Sequence, residues 1–348
     1  MQWHLFCRVV DNFGDIGFAW RLACDLATRG ESVRLAVDDA SALAWMAPQG
    51  AHGVEVAGWS DRASDRADVV VELFGGGRPA GALAPILVDV EHLSAETYVE
   101  RSHGLPSPGR RDGEPPSTTW FFYPGFTAAT GGLLREPDLI ERRREFGRGD
   151  DWLASLGVVP CAEERRVCLF GYRNDAVPEL VASLAAEPTL LLLAPGPAAD
   201  QVIAGLGASL ARGRLRAVPM SRVSQANFDR LLWSCDLNLV RGEDSLVRAI
   251  WAGAPFVWQL YVQGDGAHVA KLAAFLDRFL AGAPPDLAST LRTLFNGWNG
   301  TASGAHPAAM PDATTIAAWA AHCRRWRDAL ATQDDLTTRL LRFVESKR

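Results

Sequence analysis

The chain has 348 residues, of which 48% are hydrophobic and 22% charged; it is too long for one ordinary domain of about 100–200 residues and can bury a sizeable core, so two domains are expected. Its 35 basic and 41 acidic side chains give a net charge of −6, which argues against a nucleic-acid groove covering the surface, because such a groove needs many uncompensated cations. Only Lys271 and Lys347 are lysines, so Schiff-base chemistry has one interior candidate, Lys271, and a GxxxxGK[ST] phosphate loop is absent.

Short aliphatic or β-branched runs alternate with helical stretches, the pattern of βα units in a parallel sheet. Trp3 to Val10 reads as the first strand. A polar turn leads from it into an amphipathic helix from Ile16 to Ala27, closed by Gly30. Val33–Val37, Val54–Ala57, Val69–Phe74 and Ile86–Val90 complete a first sheet. Residues 101–117 are rich in Pro, Gly and charge and read as a surface excursion. The pattern restarts with Val167–Phe170, Leu190–Ala194, Leu215–Val218, Leu237–Val240 and Phe256–Leu260. Thr314 to Arg348 is helical in period and expected to pack back across the hinge. The expected architecture is α/β, with two Rossmann-like domains facing across a cleft. Their bounds are residues 1–160, with a terminal helix 330–348 packing on them, and residues 161–329.

Six scattered cysteines, with no CxxC and no Cys/His cluster of metal-ligand spacing, read as buried small hydrophobes in a reducing compartment. No basic start precedes a long apolar run, and no stretch approaches the roughly 20 apolar residues of a membrane span. A soluble, cytoplasmic protein with no membrane partner is expected.

Ligands of open α/β sheets lie beyond the carboxyl ends of the strands. Asp11 and Asp15 therefore stand at a favoured place, in the turn Asp11-Asn12-Phe13-Gly14-Asp15-Ile16-Gly17. Gly14 and Gly17 allow a sharp turn and leave space for a ligand; the alternative is that Asp15 only caps the helix. Asp38, at the end of the second strand, could hold a ribose hydroxyl, but the turn lacks GxGxxG and two carboxylates would repel a pyrophosphate. Gly75-Gly76-Gly77 forms another strand-end loop, either a plain turn or a substrate contact. In the second half, Asp236 to Val240 runs into Arg241-Gly242-Glu243-Asp244-Ser245 and a helix. Arg241, the Ser245 hydroxyl and the helix N-terminus suit the diphosphate of a nucleotide sugar. Glu243, an acid beside an anion site, would then touch sugar hydroxyls or a cationic acceptor. Phe170, Tyr172, Phe228 and Tyr261 lie near strand ends, and Gln225 could read a base edge, each a weak signal alone.

Together, Phe6 through Gly17, Asp236 through Ser245, Val247-Arg248-Ala249, and Trp258 to Tyr261 with His268 and Lys271 closely resemble the EarP family of protein-arginine rhamnosyltransferases, which mature bacterial elongation factor P. The resemblance runs over nearly the whole chain; it departs at Val262, where proline is expected, and at Gly171. It implies a GT-B glycosyltransferase transferring rhamnose from dTDP-β-L-rhamnose to an arginine of elongation factor P, with inversion, without a metal and with no cofactor beyond that co-substrate. By position Asp15 is the implied general base, Asp11 its partner and Glu243 a further catalytic residue. Arg241, Asp244, Ser245, Gln225, Tyr172, Phe170, Phe228 and Tyr261 are implied to hold the donor, with Gly14 and Gly17 beside it. A GT-B enzyme with another donor or acceptor and a non-catalytic nucleotide-binding regulator of a translation factor are the alternatives.

Overall fold

The computed structural model describes residues 1–10, 13–62, 64–109, 117–262, 264, 266–301 and 309–348. In chain order the first half holds β1 (Gln2–Cys7), α1 (Gly14–Thr28), β2 (Ser32–Val37), α2 (Leu43–Met46), β3 (Val54–Gly58), β4 (Val69–Leu73), β5 (Ile86–Val90), α3 (Thr97–Ser102), β6 (Pro106–Gly109) and β7 (Ser117–Phe122). There follow α4 (Leu139–Phe146), α5 (Asp150–Ser155), β8 (Arg165–Leu169), α6 (Val177–Leu184), β9 (Thr189–Leu193), α7 (Pro197–Leu206), β10 (Ala211–Arg212), β11 (Leu215–Pro219), α8 (Gln225–Trp233), β12 (Leu237–Arg241), α9 (Gly242–Ala252) and β13 (Phe256–Gln259). The chain ends with α10 (Ala267–Phe279), α11 (Pro285–Asn299), α12 (Ala313–Ala331) and α13 (Leu336–Glu345). These elements form two compact units, Met1–Pro137 with Leu330–Arg348, and Asp138–Ala329.

The first unit is built on a sheet of order β3-β2-β1-β4-β5-β7-β6, parallel except at β6. Alternate residues of its strands serve opposite faces. Trp3, Leu5 and Cys7 join Val33, Leu35, Val69 and Val71 against Ile16, Ala19, Leu22, Ala23 and Leu26 of α1. Phe6, Ala36, Val70 and Leu87 pack on the other face with Ala67 and Ala82. A parallel sheet covered on both faces explains why its strands read as continuous apolar runs. Leu336, Leu340 and Val344, four residues apart on α13 and 0% exposed, enter the same core as α1. Arg29 ties the start of α13 to α1, with Nη2 at 2.8 Å from Asp335 and 3.0 Å from Asp25.

The second unit has the order β10-β11-β9-β8-β12-β13, parallel except for the β10–β11 hairpin. Among the described residues no helix is long and apolar enough to cross a membrane.

Several boundaries differ from the sequence expectation. β1 stops at Cys7, not Val10, because the Val9 and Val10 amides donate to the Asp38 and Asp15 carboxylates instead of a neighbouring strand. The 101–117 excursion contains β6, whose Pro106 and Pro108 pair with Trp120 and Thr118; proline lacks an amide donor and is tolerated on such an edge. The strand β7 beside it was not anticipated. Residues 138–160, expected with the first domain, belong to the second unit. Arg143 Nε donates to the Ala252 carbonyl at 3.2 Å, Arg166 pairs with Asp150 at 2.6 Å, and Phe146 meets Trp233 edge-on at 5.6 Å. The helical run expected from Thr314 is two helices, broken where the Asp335 side chain caps α13 by accepting the Thr338 amide at 2.9 Å. Cys161 is exposed and Cys24 half-buried, whereas Cys7, Cys168, Cys235 and Cys323 are buried as small apolar groups. Burial pushes the Cys168 thiol up to about 12, which keeps it an unreactive thiol.

Candidate active site

Each sheet reverses its direction of growth beside its first strand. β2 and β3 lie on one side of β1 and β4 on the other; likewise β9 and β11 lie on one side of β8 and β12 on the other. A crevice opens at such switch points, beyond the carboxyl ends of the strands.

In the first unit, β1 ends into α1 and β4 ends into Phe74-Gly75-Gly76-Gly77. Asp15 lies in the first turn of α1, 8% exposed, where the helix dipole favours a carboxylate. Its Oδ2 accepts the Val10 amide at 2.8 Å, which fixes the segment leaving β1. Asp11 lies outside the described residues. Gly14 and Gly17 are helical residues of α1, and the Gly17 amide donates to the Phe13 carbonyl at 3.0 Å, so the sharp turn expected at these glycines is not made by them. Asp38 Oδ1 accepts the Val9 and Asp39 amides at 2.9 and 3.0 Å and so braces the chain leaving β1. Phe74 and Gly75 have φ of +59° and +62°. A Cβ on Gly76 would stand 3.1 Å from the Leu73 carbonyl and 3.5 Å from the Arg8 Cβ, so the glycine loop packs directly on the segment after β1.

Beside this switch point, three acids sit at the carboxyl ends of β4 and β5. Burial, with Glu91 and Glu72 nearby, pushes the Asp89 carboxyl up to about 7. Glu72 lies opposite Asp89 in the strand register and pairs with Arg78 at 3.0 Å. The sequence signal, overlooked above, is an acid interrupting an apolar parallel strand one residue before its end, as in Val-Val-Val-Glu-Leu and Ile-Leu-Val-Asp-Val.

In the second unit the switch point lies between β8 and β12, and the expected donor residues gather there. Arg241, the last residue of β12, is 7% exposed, with its Cζ 4.7 Å from the Phe170 ring centroid and 4.5 Å from that of Tyr172. Phe170 meets Phe228 edge-on at 5.3 Å, and Tyr172 meets Tyr261 edge-on at 5.6 Å. Two aromatic rings, each backed by a further ring, therefore flank one guanidinium, which suits stacking and a fixed positive charge together. Gln225 opens α8 on the same side, nearly buried, directly after the Ser224 cap.

Arg241 is also the N-cap of α9, in extended conformation, and Gly242 follows with φ of +68°. The Trp258 indole donates to the Gly242 carbonyl at 2.9 Å and anchors this turn to β13. The Ser245 hydroxyl, expected to face a phosphate, donates to the Arg241 carbonyl, so its proton is used within the helix. Asp244 is half-buried in the first turn. Glu243 pairs with Lys271 of α10 at 2.5 Å.

Two supporting residues escaped the sequence reading. Gln259 Oε1 accepts the Tyr172 amide at 2.9 Å and so sets where that ring stands. A Cβ on Gly171 would fall 2.9 Å from Gln259 Oε1 and 3.0 Å from the Ala198 Cβ, which accounts for glycine there. Arg248, quoted above without a role, makes a bidentate pair with Asp229 at 2.8 and 2.7 Å, both side chains almost fully buried. That pair locks α9 to α8 and with it the spacing of Arg241 from Phe228 and Gln225. Val262 is 67% exposed, so the residue type there carries no packing demand.

The family model described as elongation-factor P rhamnosyltransferase EarP matches residues 3–345. The chain belongs to the EarP family. It is 40% identical to the protein-arginine rhamnosyltransferase of Pseudomonas aeruginosa, covering 98% of each chain. It is 34% identical to that of Neisseria meningitidis serogroup B, covering 85% of this chain and 83% of the relative. A solved structure from a study of EarP-mediated arginine glycosylation of translation elongation factor EF-P superposes with a TM-score of 0.69 at 32% identity, covering 99% of each chain. A UDP-glucosyltransferase from Polygonum tinctorium, at 12% identity and a TM-score of 0.53, shares the fold alone. The family, its fold and its class are therefore those of a GT-B glycosyltransferase, as the sequence motifs implied.

Proposed function

We propose that this EarP-family chain transfers rhamnose from dTDP-β-L-rhamnose to an arginine side chain of elongation factor P, with inversion at the anomeric carbon and without a divalent metal. The reading rests foremost on Arg241, held between Phe170 and Tyr172 at the N-terminus of α9 and at the switch point of its sheet.

The acceptor guanidinium carries a positive charge at neutral pH and attacks poorly until a proton leaves. Asp15, with Asp11 as its partner, orients the planar fork through charge-assisted hydrogen bonds and receives the proton as nitrogen bonds to C1. The nitrogen becomes acidic only as the C–N bond forms, so a carboxylate of ordinary basicity suffices. The bond from C1 to the phosphate oxygen breaks, and dTDP leaves with that electron pair. Arg241 and the backbone N–H groups opening α9 stabilise the charge growing on the diphosphate, the task a metal performs elsewhere. Attack from the face opposite the leaving group turns the β-linked donor into an α-linked product. Glu243 contacts the sugar or the incoming guanidinium, and the four rings with Gln225 hold the thymidine.

The test is to follow dTDP release and the anomeric configuration of the product by NMR. Release that depends on elongation factor P, with an α-linked rhamnosyl arginine, is expected. Preference for a UDP-sugar would overturn the donor assignment, and a β-linked product the inverting course.

A further inference from the structure

Glu243 and Asp244 occupy the first turn of α9, where the positive end of the helix dipole attracts an anion. A carboxylate fixed at that end competes with a diphosphate for the same positive potential, so an acid there needs compensation. Lys271 supplies a cation. Its ammonium lies 2.5 Å from Glu243 Oε1, with only 21% and 23% of the two side chains exposed. It stands on α10, in the first helix after the segment carrying Tyr261. Lys347, the other lysine, lies over the Trp120 ring at 3.7 Å in the other unit, so Lys271 is the one lysine of the donor-binding unit.

We infer that Lys271 is a positioning residue that holds the Glu243 carboxylate in one orientation beside the donor and cancels its charge toward the leaving diphosphate. The inference rests on the donor site proposed above. Lys271 acts through Glu243, so its effect requires that carboxylate. A helix-anchored ammonium also lets the turn carry an acid for the sugar or the guanidinium while remaining attractive to phosphate, which gives Glu243 its reason to stand beside Arg241.

The test is a double-mutant cycle on the full chain with dTDP-β-L-rhamnose and elongation factor P. Lys271→Met is expected to raise the donor KM and lower kcat, together costing about tenfold in kcat/KM, within the usual coupling of neighbouring charged groups. Lys271→Arg, which keeps the charge, is expected to restore most of the loss. In a Glu243→Gln background Lys271→Met is expected to cost nothing more. Unchanged kinetics for Lys271→Met, losses that add in the double variant, or failure of arginine to rescue would each overturn the inference while wild-type transfer stands. A wild-type enzyme that transfers no rhamnose overturns the underlying reading and this inference with it.

Discussion

At the residue scale, the proposed reaction divides its work between a carboxylate at the start of one helix and a guanidinium at the start of another. Asp15 is nearly buried and bonded to the Val10 amide, so Asp15→Asn keeps size and one acceptor oxygen while losing the base. The rate of transfer should fall by about 10²–10⁴, the usual worth of a positioned general base, with dTDP affinity in titration calorimetry unchanged. An undiminished rate would remove Asp15 from that role. Arg241 is held by two rings, and lysine offers charge without the flat stacking surface. Arg241→Lys should therefore raise the donor KM by about tenfold, equal to roughly 1–2 kcal/mol of stacking and forked contact. A KM equal to wild type would show that charge alone is used. Asp15 and Arg241 were legible because each falls where a strand ends and a helix begins. Gln259 was not, since a glutamine closing an apolar strand looks the same whether or not it accepts the Tyr172 amide.

At the scale of elements, the two most informative features are α13 and the acid-bearing ends of β4 and β5. α13 contributes Leu336, Leu340 and Val344 to the first core from the far end of the chain. Leu340→Ala should cost about 2–5 kcal/mol, the range for a fully buried leucine, and should be read as faster hydrogen exchange in α1, which shares that core. Unaltered exchange in α1 would contradict this docking. Asp89 gives a pH signature. Its carboxyl sits at about 7 in the fold because of burial first and Glu91 and Glu72 second, against about 3.9 in an unfolded chain. Between those values the native state keeps a proton the unfolded chain has lost, so this group's contribution falls as pH rises from about 4 to about 7 and is level above. Asp89→Asn removes that loss. The variant's melting temperature, relative to wild type, should be higher at pH 8 than at pH 5; a difference independent of pH would refute the assignment. Buried parallel strands such as β9 could be read from the sequence because runs such as Leu190–Ala194 are apolar throughout. β6 could not, since Pro106 and Pro108 mark an edge strand and a loop alike. Nor could the grouping of α4, whose run of charges resembles a linker although Arg143 reaches the Ala252 carbonyl.

At the scale of the whole molecule, the net charge of −6 says nothing of how charge is placed at the two switch points. The first unit presents Asp15 at its switch point and carries Asp89 and an Arg78-paired Glu72 toward the carboxyl ends of β4 and β5. The second unit presents Arg241 with a helix N-terminus, and an acid there, Glu243, is paired with Lys271. The two-sheet organisation was legible from the repeated apolar runs, but the boundary at Pro137 was set by packing of residues distant in sequence and left no local mark. The central claim, rhamnosyl transfer to an arginine of elongation factor P, is tested most directly by intact mass spectrometry of elongation factor P after incubation with the enzyme and dTDP-β-L-rhamnose. The account predicts a gain of one deoxyhexose, located by fragmentation on a single arginine. No gain on a correctly folded acceptor, or a gain on another residue type, would contradict it.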